Sequence, residues 1–147
     1  MKTVNDMLRD KGHSVWFVAP DAMVFEALEL MAAKNVGAVL VLDGNRLVGI
    51  LSERDYARKV TLLGKTSRDT PVSEIMTGRV LYVNADQTIQ ECMALMTEKR
   101  IRHLPVLEGD RVIGVVTIGD VGRAIIADQQ FMLEQLEHYI TGGGSGS

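Results

Sequence analysis

The chain has 147 residues, of which 46% are hydrophobic and 24% are charged, a composition typical of a folded globular protein. Its formal net charge of −3 argues against a nucleic-acid binder, because such proteins usually carry a basic excess. No stretch reaches the ~18 apolar residues of a membrane span, and the polar segment 1–6 is unlike a signal peptide. The single cysteine, Cys92, cannot form an internal disulfide. Together these features predict a cytoplasmic protein without membrane or nucleic-acid partners.

The first predicted element is a short strand over Val15–Val18, which is rich in β-branched and aromatic residues. Asp21 stands where an N-cap or first-turn acid of a helix belongs, and apolar residues then recur at the spacing of one buried helix face. Two continuous apolar runs, Ala38–Leu42 and Leu47–Leu51, predict buried strands, and the turn residues between them predict a hairpin. A second helix is predicted to begin at Ser52.

The same order of elements recurs 65 residues later without a gap: positions 15–56 and 80–121 share 13 identities in 42 pairs. Its elements are a strand over Val80–Val83, an acid at Asp86, strands over Leu104–Leu107 and Val112–Val116, and a helix from Thr117. A weaker echo precedes each copy, since Val4–Leu8 resembles Val72–Met76. A single β-α-β-β-α unit would expose one sheet face. We therefore predict an α+β fold in which two such repeats pack through their sheets with pseudo-twofold symmetry.

This division predicts one repeat over 3–65 and a second over 66–126, followed by a helical extension over 127–141. Residues 142–147 form a Gly/Ser tail, whose composition is typical of a flexible linker. From Asp120 to about Ile140 a set of apolar residues recurs at helical spacing: Val121, Ala124, Ile125, Met132, Leu136, Tyr139 and Ile140. This helix is longer than the closure of one repeat requires. The extra apolar stripe predicts contact with another subunit.

One polar motif, Gly-apolar-apolar-Ser/Thr-x-x-Asp, closes the third strand of each repeat, over Gly49–Asp55 and Gly114–Asp120. A hydroxyl at the N-cap with an acid three residues later approximates a capping box, so helix capping alone is one interpretation. The other interpretation adds a ligand, because free N–H groups at a helix N-terminus suit phosphate. A carboxylate one turn later can accept both hydroxyls of a ribose. The duplication of both polar positions in a diverging repeat favours a binding site.

With this motif present twice, and with the segment Arg100–Val106, the chain resembles a pair of CBS domains, or Bateman module, over residues 3–125. Residues 35–38, 52–59 and 102–105 are similar to stand-alone CBS-pair proteins of bacteria and plant organelles. The resemblance implies adenosine-nucleotide binding between the repeats, with AMP or NAD as the first choice and ATP, ADP or S-adenosylmethionine as alternatives. It also implies a homodimer that regulates an unknown protein without catalysis of its own.

The resemblance further implies two composite sites, in which an aspartate holds the ribose and a hydroxyl contacts phosphate. The first would contain Ser52, Asp55, Thr77, Val80 and Ile101. The second would contain Thr117, Asp120, Ser14, Val15, Val36 and Gly37. The side chains of Ile50 and Val115 would sandwich the adenine.

The two repeats differ at positions close to the motif. Arg102 and His103 replace a Gly-Ala pair of the first repeat, and Arg54 replaces a glycine of the second. A guanidinium suits phosphate geometry, so these three residues are candidate phosphate ligands; the alternative is a solvated arginine and a satisfied histidine. Gly37 leaves space that predicts a larger ligand at the Thr117 site.

Two other function classes are alternatives to a regulatory binding module. A nucleotide hydrolase lacks support, because no activated nucleophile, carboxylate cluster or Walker-type loop appears. A ligand-free dimerisation module stays open. No metal site is predicted, since His13 and His138 have no metal-spaced partners, and both Cys92 and Trp16 are expected to pack in the core.

Overall fold

The computed structural model describes residues 2–138, which form two three-stranded sheets flanked by helices. The elements up to residue 75 are α1 (Val4–Lys11), β1 (Phe17–Val18), α2 (Val24–Lys34), β2 (Ala38–Asp43), β3 (Arg46–Ser52), α3 (Glu53–Tyr56) with a π-helical continuation (Ala57–Thr61), and α4 (Val72–Ile75). The remaining elements are β4 (Val83–Asn84), α5 (Ile89–Lys99), β5 (His103–Glu108), β6 (Arg111–Thr117) and α6 (Ile118–Glu137). Both repeats have the predicted β-α-β-β-α order, so the α+β fold class is confirmed.

The two sheets have the same topology. In each, the first strand runs parallel to the second, and the second pairs antiparallel with the third. Both hairpins carry a register shift at the same place, between Val41 and Leu42 and between Val106 and Leu107. The repeat is therefore conserved in backbone detail as well as in element order.

The opening strands are shorter than the sequence predicts and begin later. Strand β1 lacks Val15 and Trp16, and β4 begins at Val83, three residues after the predicted start at Val80. Only two residues of each strand pair with the neighbouring strand, and residues just before them, among them Trp16 and Leu81, line clefts between the repeats.

The prediction that Asp21 and Asp86 start the next helices is wrong. Both lie in turns before the N-caps, which are Met23 for α2 and Thr88 for α5. Thr88 supplies its own capping box with Glu91. At α2 the backbone N–H of Val24 instead donates to the carbonyl oxygen of Thr70 at 2.8 Å, so no acid is needed there.

Each repeat completes its core with a short helix that precedes the other repeat. Val4, Met7 and Leu8 of α1 are buried in the core of the second repeat. Val72 and Ile75 of α4 are buried in the core of the first. Because a buried aliphatic side chain contributes about 1.5–3 kcal/mol, these exchanged helices tie the stability of each repeat to the other.

The exchanged helices also explain the glycine of the repeated motif. A Cβ on Gly114 would lie 2.6 Å from Cδ2 of Leu8, and a Cβ on Gly49 would lie 2.9 Å from Cγ of Met76. Both distances are shorter than real Cβ contacts. A side chain at these two positions would collide with Leu8 of α1 or with Met76, which directly follows α4.

The long C-terminal helix is confirmed as α6 over Ile118–Glu137. The predicted stripe residues Tyr139 and Ile140, and the tail over 142–147, lie outside the described residues. Beyond the core the helix carries a set of exposed apolar side chains: Ile126, Phe131, Met132, Leu133 and Leu136. Among residues 2–138, no helix combines the length and apolar character needed to cross a bilayer.

Candidate functional site

A first cleft lies at the end of β3. It contains Ser52 and Asp55 and has a volume of about 540 Å³. Ser52 is the N-cap of α3, and its Oγ accepts a hydrogen bond from the backbone N–H of Asp55 at 3.1 Å. In return, Oδ2 of Asp55 accepts from the backbone N–H of Ser52 at 3.0 Å. The predicted helix cap is therefore confirmed, and it occupies one carboxylate oxygen.

The other carboxylate oxygen of Asp55 faces the opposite repeat. Thr77 Oγ1 donates to Asp55 Oδ1 at 3.5 Å, and Lys59 Nζ lies 3.2 Å from the same oxygen. The strand end is held against the second repeat by a backbone bridge, in which Ile50 and Thr77 exchange hydrogen bonds of 3.0 and 2.9 Å. Asp55 is thus part of the cleft lining while it caps its helix.

Both repeats contribute to the first cleft. The predicted site residues that line it are Gly37, Ile50, Ser52, Arg54, Asp55, Thr77, Val80, Ile101, Arg102 and His103. Four further lining residues were not assigned from the sequence: Glu53, Arg79, Leu81 and Arg100. Arg100 belongs to the segment that carried the family resemblance, so a signal for it was present. Arg79 lies in an irregular segment without a motif.

Arginine dominates the charge of the first cleft. Its lining contains the four arginines Arg54, Arg79, Arg100 and Arg102, against the two acids Asp55 and Glu53. The side chain of Arg54 donates to the backbone carbonyl of Arg100 at 3.4 Å, which joins the two repeats across the cleft. Since an arginine fork suits phosphate oxygens, this lining favours an anionic ligand.

His103 lies between the two clefts and lines both. Its Nε2 would be 3.6 Å from a Cβ added at Gly37, which shows how closely the two strand starts approach. Burial lowers the pKa of His103, and the positive charges of Lys11 and Arg102 lower it further. The imidazole is therefore neutral near pH 7 and offers one hydrogen-bond donor and one acceptor.

The second cleft, at the end of β6, contains Thr117 and has a volume of about 320 Å³. Thr117 caps α6 in the same way, with its backbone N–H donating to Oδ2 of Asp120 at 2.8 Å. The predicted residues that line this cleft are Ser14, Val36, Gly37, Val115 and Thr117, joined by Ile50 and His103. Val15 and Asp120, which were also predicted there, are not lining residues.

Asp120 is paired with two cations. Lys11 Nζ lies 2.6 Å from its Oδ2, and Arg123 Nη2 lies 2.9 Å from its Oδ1. Burial alone would raise the pKa of Asp120, but hydrogen bonds from Lys11 and from the Thr117 backbone outweigh it, so the pKa lies below its usual range. The sequence did not identify Lys11, because it is 109 residues from its partner.

The volumes of the two clefts do not favour the predicted larger ligand at the Thr117 site, which stays a prediction. The second cleft is the smaller of the two, although Gly37 does line it. Lys11 reaches into this cleft, and the ring of Trp16 also lines it while packing against the core of the first repeat. Cys92, by contrast, is fully buried as predicted, and burial raises the pKa of its thiol to about 11.

Comparison with known proteins shows the family of the chain. The family model for the CBS domain matches the sequence twice, over residues 5–61 and 72–127. The chain belongs to the CBS domain family. It is 38% identical over 151 residues to the CBS domain-containing protein CBSX3, mitochondrial, of Arabidopsis thaliana, which covers 96% of this chain and 73% of that protein.

Solved structures place this CBS pair among close relatives of the same fold. A protein with CBS domains from Burkholderia ambifaria MC40-6 is 50% identical, with a TM-score of 0.84, over 87% of this chain and 96% of that one. The CBS domain structure NE2398 is 52% identical, with a TM-score of 0.82, over 85% of this chain and 98% of that one. Within residues 2–138 of this CBS pair, no group of three or more His, Cys, Asp or Glu side chains is placed to hold a metal ion.

Proposed function

We propose that this CBS pair is a regulatory sensor that binds an adenosine nucleotide in the first cleft. The observation that carries the proposal is the position of Asp55, which caps α3 through Oδ2 while Oδ1 faces a cleft edged by four arginines. A cleft of about 540 Å³ lies within the ~300–1,000 Å³ range of small-molecule sites.

Each part of a nucleotide has a matching group in this cleft. The apolar side chains Ile50, Val80 and Ile101 suit an adenine ring, and the Asp55 carboxylate suits the two ribose hydroxyls. The arginines and the N-terminus of α3 suit phosphate. AMP and NAD remain our first choices, followed by ADP and ATP.

S-adenosylmethionine is the least favoured ligand, because its sulfonium cation would lie among arginines. The CBS domain pair of protein MJ0100, at 24% identity and a TM-score of 0.76, was crystallised with 5′-methylthioadenosine and S-adenosylmethionine. At that identity the likeness concerns the fold. Our choice of an adenosine ligand for this chain therefore rests on the residues of its own cleft.

We infer that occupancy of the cleft, without turnover, is the signal. Residues from both repeats line the cleft, so a ligand that prefers one packing of the repeats shifts the population toward it. The exposed apolar side chains of α6, among them Phe131, Met132 and Leu136, suit a homodimer contact through which such a shift could reach a regulated protein. A cytoplasmic location stays a prediction. The name of one relative, CBSX3 of Arabidopsis thaliana, describes that protein as mitochondrial.

Isothermal titration calorimetry with AMP, ATP and NAD tests this function in Asp55→Ala and in a matched control, Glu91→Ala. Both variants lose the acid of a capping box, but Glu91 caps α5 outside the cleft. We expect Asp55→Ala to weaken binding of the preferred nucleotide at least about 10-fold, equivalent to about 1.4 kcal/mol, and Glu91→Ala to leave it unchanged. Equal affinity in both variants would leave helix capping as the only role of Asp55.

A further inference from the structure

A lysine outside the lining of the first cleft contacts the carboxylate to which the proposed function assigns the ribose. Lys59 Nζ lies 3.2 Å from Oδ1 of Asp55 and donates to the backbone carbonyl of Ile75 at 3.0 Å. Asp55 lines the cleft and Lys59 does not. We propose that Lys59 is a positioning residue, which holds Asp55 Oδ1 toward the ribose without touching the nucleotide. This inference rests on the proposed function.

The two carboxylate oxygens of Asp55 are held separately. Oδ2 accepts hydrogen bonds from the backbone N–H and the Oγ of Ser52, both at 3.0 Å, and completes the cap of α3. Oδ1 is held by Lys59, while its contact with Thr77 Oγ1 is longer, at 3.5 Å. Since a carboxylate oxygen has two lone pairs, a ribose hydroxyl can replace the weaker Thr77 contact while the ammonium group keeps the carboxylate in place.

The ammonium group of Lys59 has a fixed partner on an exchanged helix. The carbonyl that it contacts belongs to Ile75, which ends α4 and is 2% exposed. Lys59 itself lies in the π-helical turn Ala57–Thr61, and such turns are rare and often found at functional sites. Because the Asp55 side chain is only 14% exposed, its pair with Lys59 is screened less than an ion pair on the open surface.

The second repeat holds its aspartate, Asp120, in a related way. Its Oδ2 completes the cap and is bridged by Lys11 to a backbone carbonyl of β6, and its Oδ1 pairs with Arg123 at 2.9 Å. The 65-residue repeat places Ala124, a buried core residue, at the position of Lys59. A cation on the oxygen outside the cap therefore recurs, although a different position supplies it. This recurrence indicates that the cation serves the aspartate.

Competition calorimetry with AMP and dideoxy-AMP tests this role, because dideoxy-AMP lacks both ribose hydroxyls that Asp55 would hold. The variant Lys59→Met keeps the length of the side chain and removes its charge. We expect Lys59→Met to weaken AMP binding about 5-fold, a usual size for coupling within one hydrogen-bond network. Its affinity for dideoxy-AMP should stay within about 2-fold of the wild type, because that ligand gains nothing from the position of Asp55.

The matched control is Lys65→Met. Lys65 also contacts α4, through Glu74, and its side chain is 41% exposed against 43% for Lys59. This variant should leave the affinity for both ligands unchanged. In an Asp55→Ala background, Lys59→Met should cause no further loss of AMP affinity, because a positioning residue acts only through the group that it positions.

The outcomes separate this inference from the proposed function. Equal losses of AMP and dideoxy-AMP affinity in Lys59→Met, an unchanged AMP affinity, or additive losses in the double variant would each overturn the role of Lys59. If Asp55→Ala alone still weakens AMP binding, the proposed function survives that failure. No AMP binding in the wild type overturns this inference, and if ATP and NAD also fail to bind, the proposed function falls with it.

Discussion

The first and second clefts arise from the same repeated motif, and yet they differ in volume and in charge. Both begin with a hydroxyl that caps a helix and an aspartate that returns the hydrogen bond. In the first cleft the aspartate pairs with Lys59 within a lining edged by arginines, and in the second it pairs with Lys11 and Arg123. The motif therefore establishes the same capped backbone in both repeats, while residues outside it give the two aspartates different partners.

The exchanged helices extend this comparison to the cores of the two repeats. Gly114 meets the branched, fully buried side chain of Leu8, and Gly49 meets the flexible side chain of Met76. We expect Gly114→Ala to lower the free energy of unfolding by about 1–3 kcal/mol, as overpacking typically does. Gly49→Ala should lower the free energy of unfolding by less, because the methionine side chain changes its rotamer more easily than the leucine side chain. Urea denaturation measures both.

Gly122→Ala is the control for the glycine variants, since a Cβ there has no heavy atom within 4 Å. Gly122 lies inside α6, where alanine is favoured over glycine by about 1 kcal/mol. A loss of stability in Gly122→Ala as large as that in Gly114→Ala would contradict the role of the exchanged helix.

The charge of the first cleft gives the next prediction. Removing one lining guanidinium by Arg102→Ala should weaken AMP binding about 10-fold, a typical value for a charged hydrogen bond, while adenosine binding stays within about 2-fold. Competition calorimetry compares the two ligands. Arg111→Ala is the control, because Arg111 lies at the tip of the second hairpin with its side chain 75% exposed. Parallel losses for AMP and adenosine would show that Arg102 does not contact phosphate.

The smallest predicted effect concerns His103, which lies between the clefts. Burial and the charges of Lys11 and Arg102 lower its pKa in the folded state, although Asp120 opposes them. The unfolded chain therefore binds a proton more readily below the ordinary histidine pKa of about 6.5. We expect stability to fall as the pH drops from about 6.5 through the lowered pKa of His103. His103→Gln should flatten this part of the profile of unfolding free energy against pH. An unchanged profile in the variant would contradict the role given to His103.

The repeat alone was sufficient to predict the β-α-β-β-α order of each unit, both hairpins and the N-caps Ser52 and Thr117. These features depend on local chemistry, such as turn residues after apolar runs and a hydroxyl three positions before an acid. The starts of α2 and α5 were misplaced, because Asp21 and Asp86 have the composition of N-caps but lie in the preceding turns.

The parts that escaped prediction depend on contacts between distant segments. The exchange of α1 and α4 explains why positions 49 and 114 are glycines. No local sequence pattern reveals this exchange. The pairing of Lys11 with Asp120 likewise joins residues 109 positions apart. Gly37 does line the second cleft as expected, but Lys11 of another helix lines it too.

The most direct test of the proposed nucleotide site is a crystal structure of the full chain grown with saturating AMP. We predict AMP in the first cleft, with its ribose on Asp55 and its phosphate among the arginines. An empty first cleft, or an AMP held there without contact to Asp55, would contradict the account.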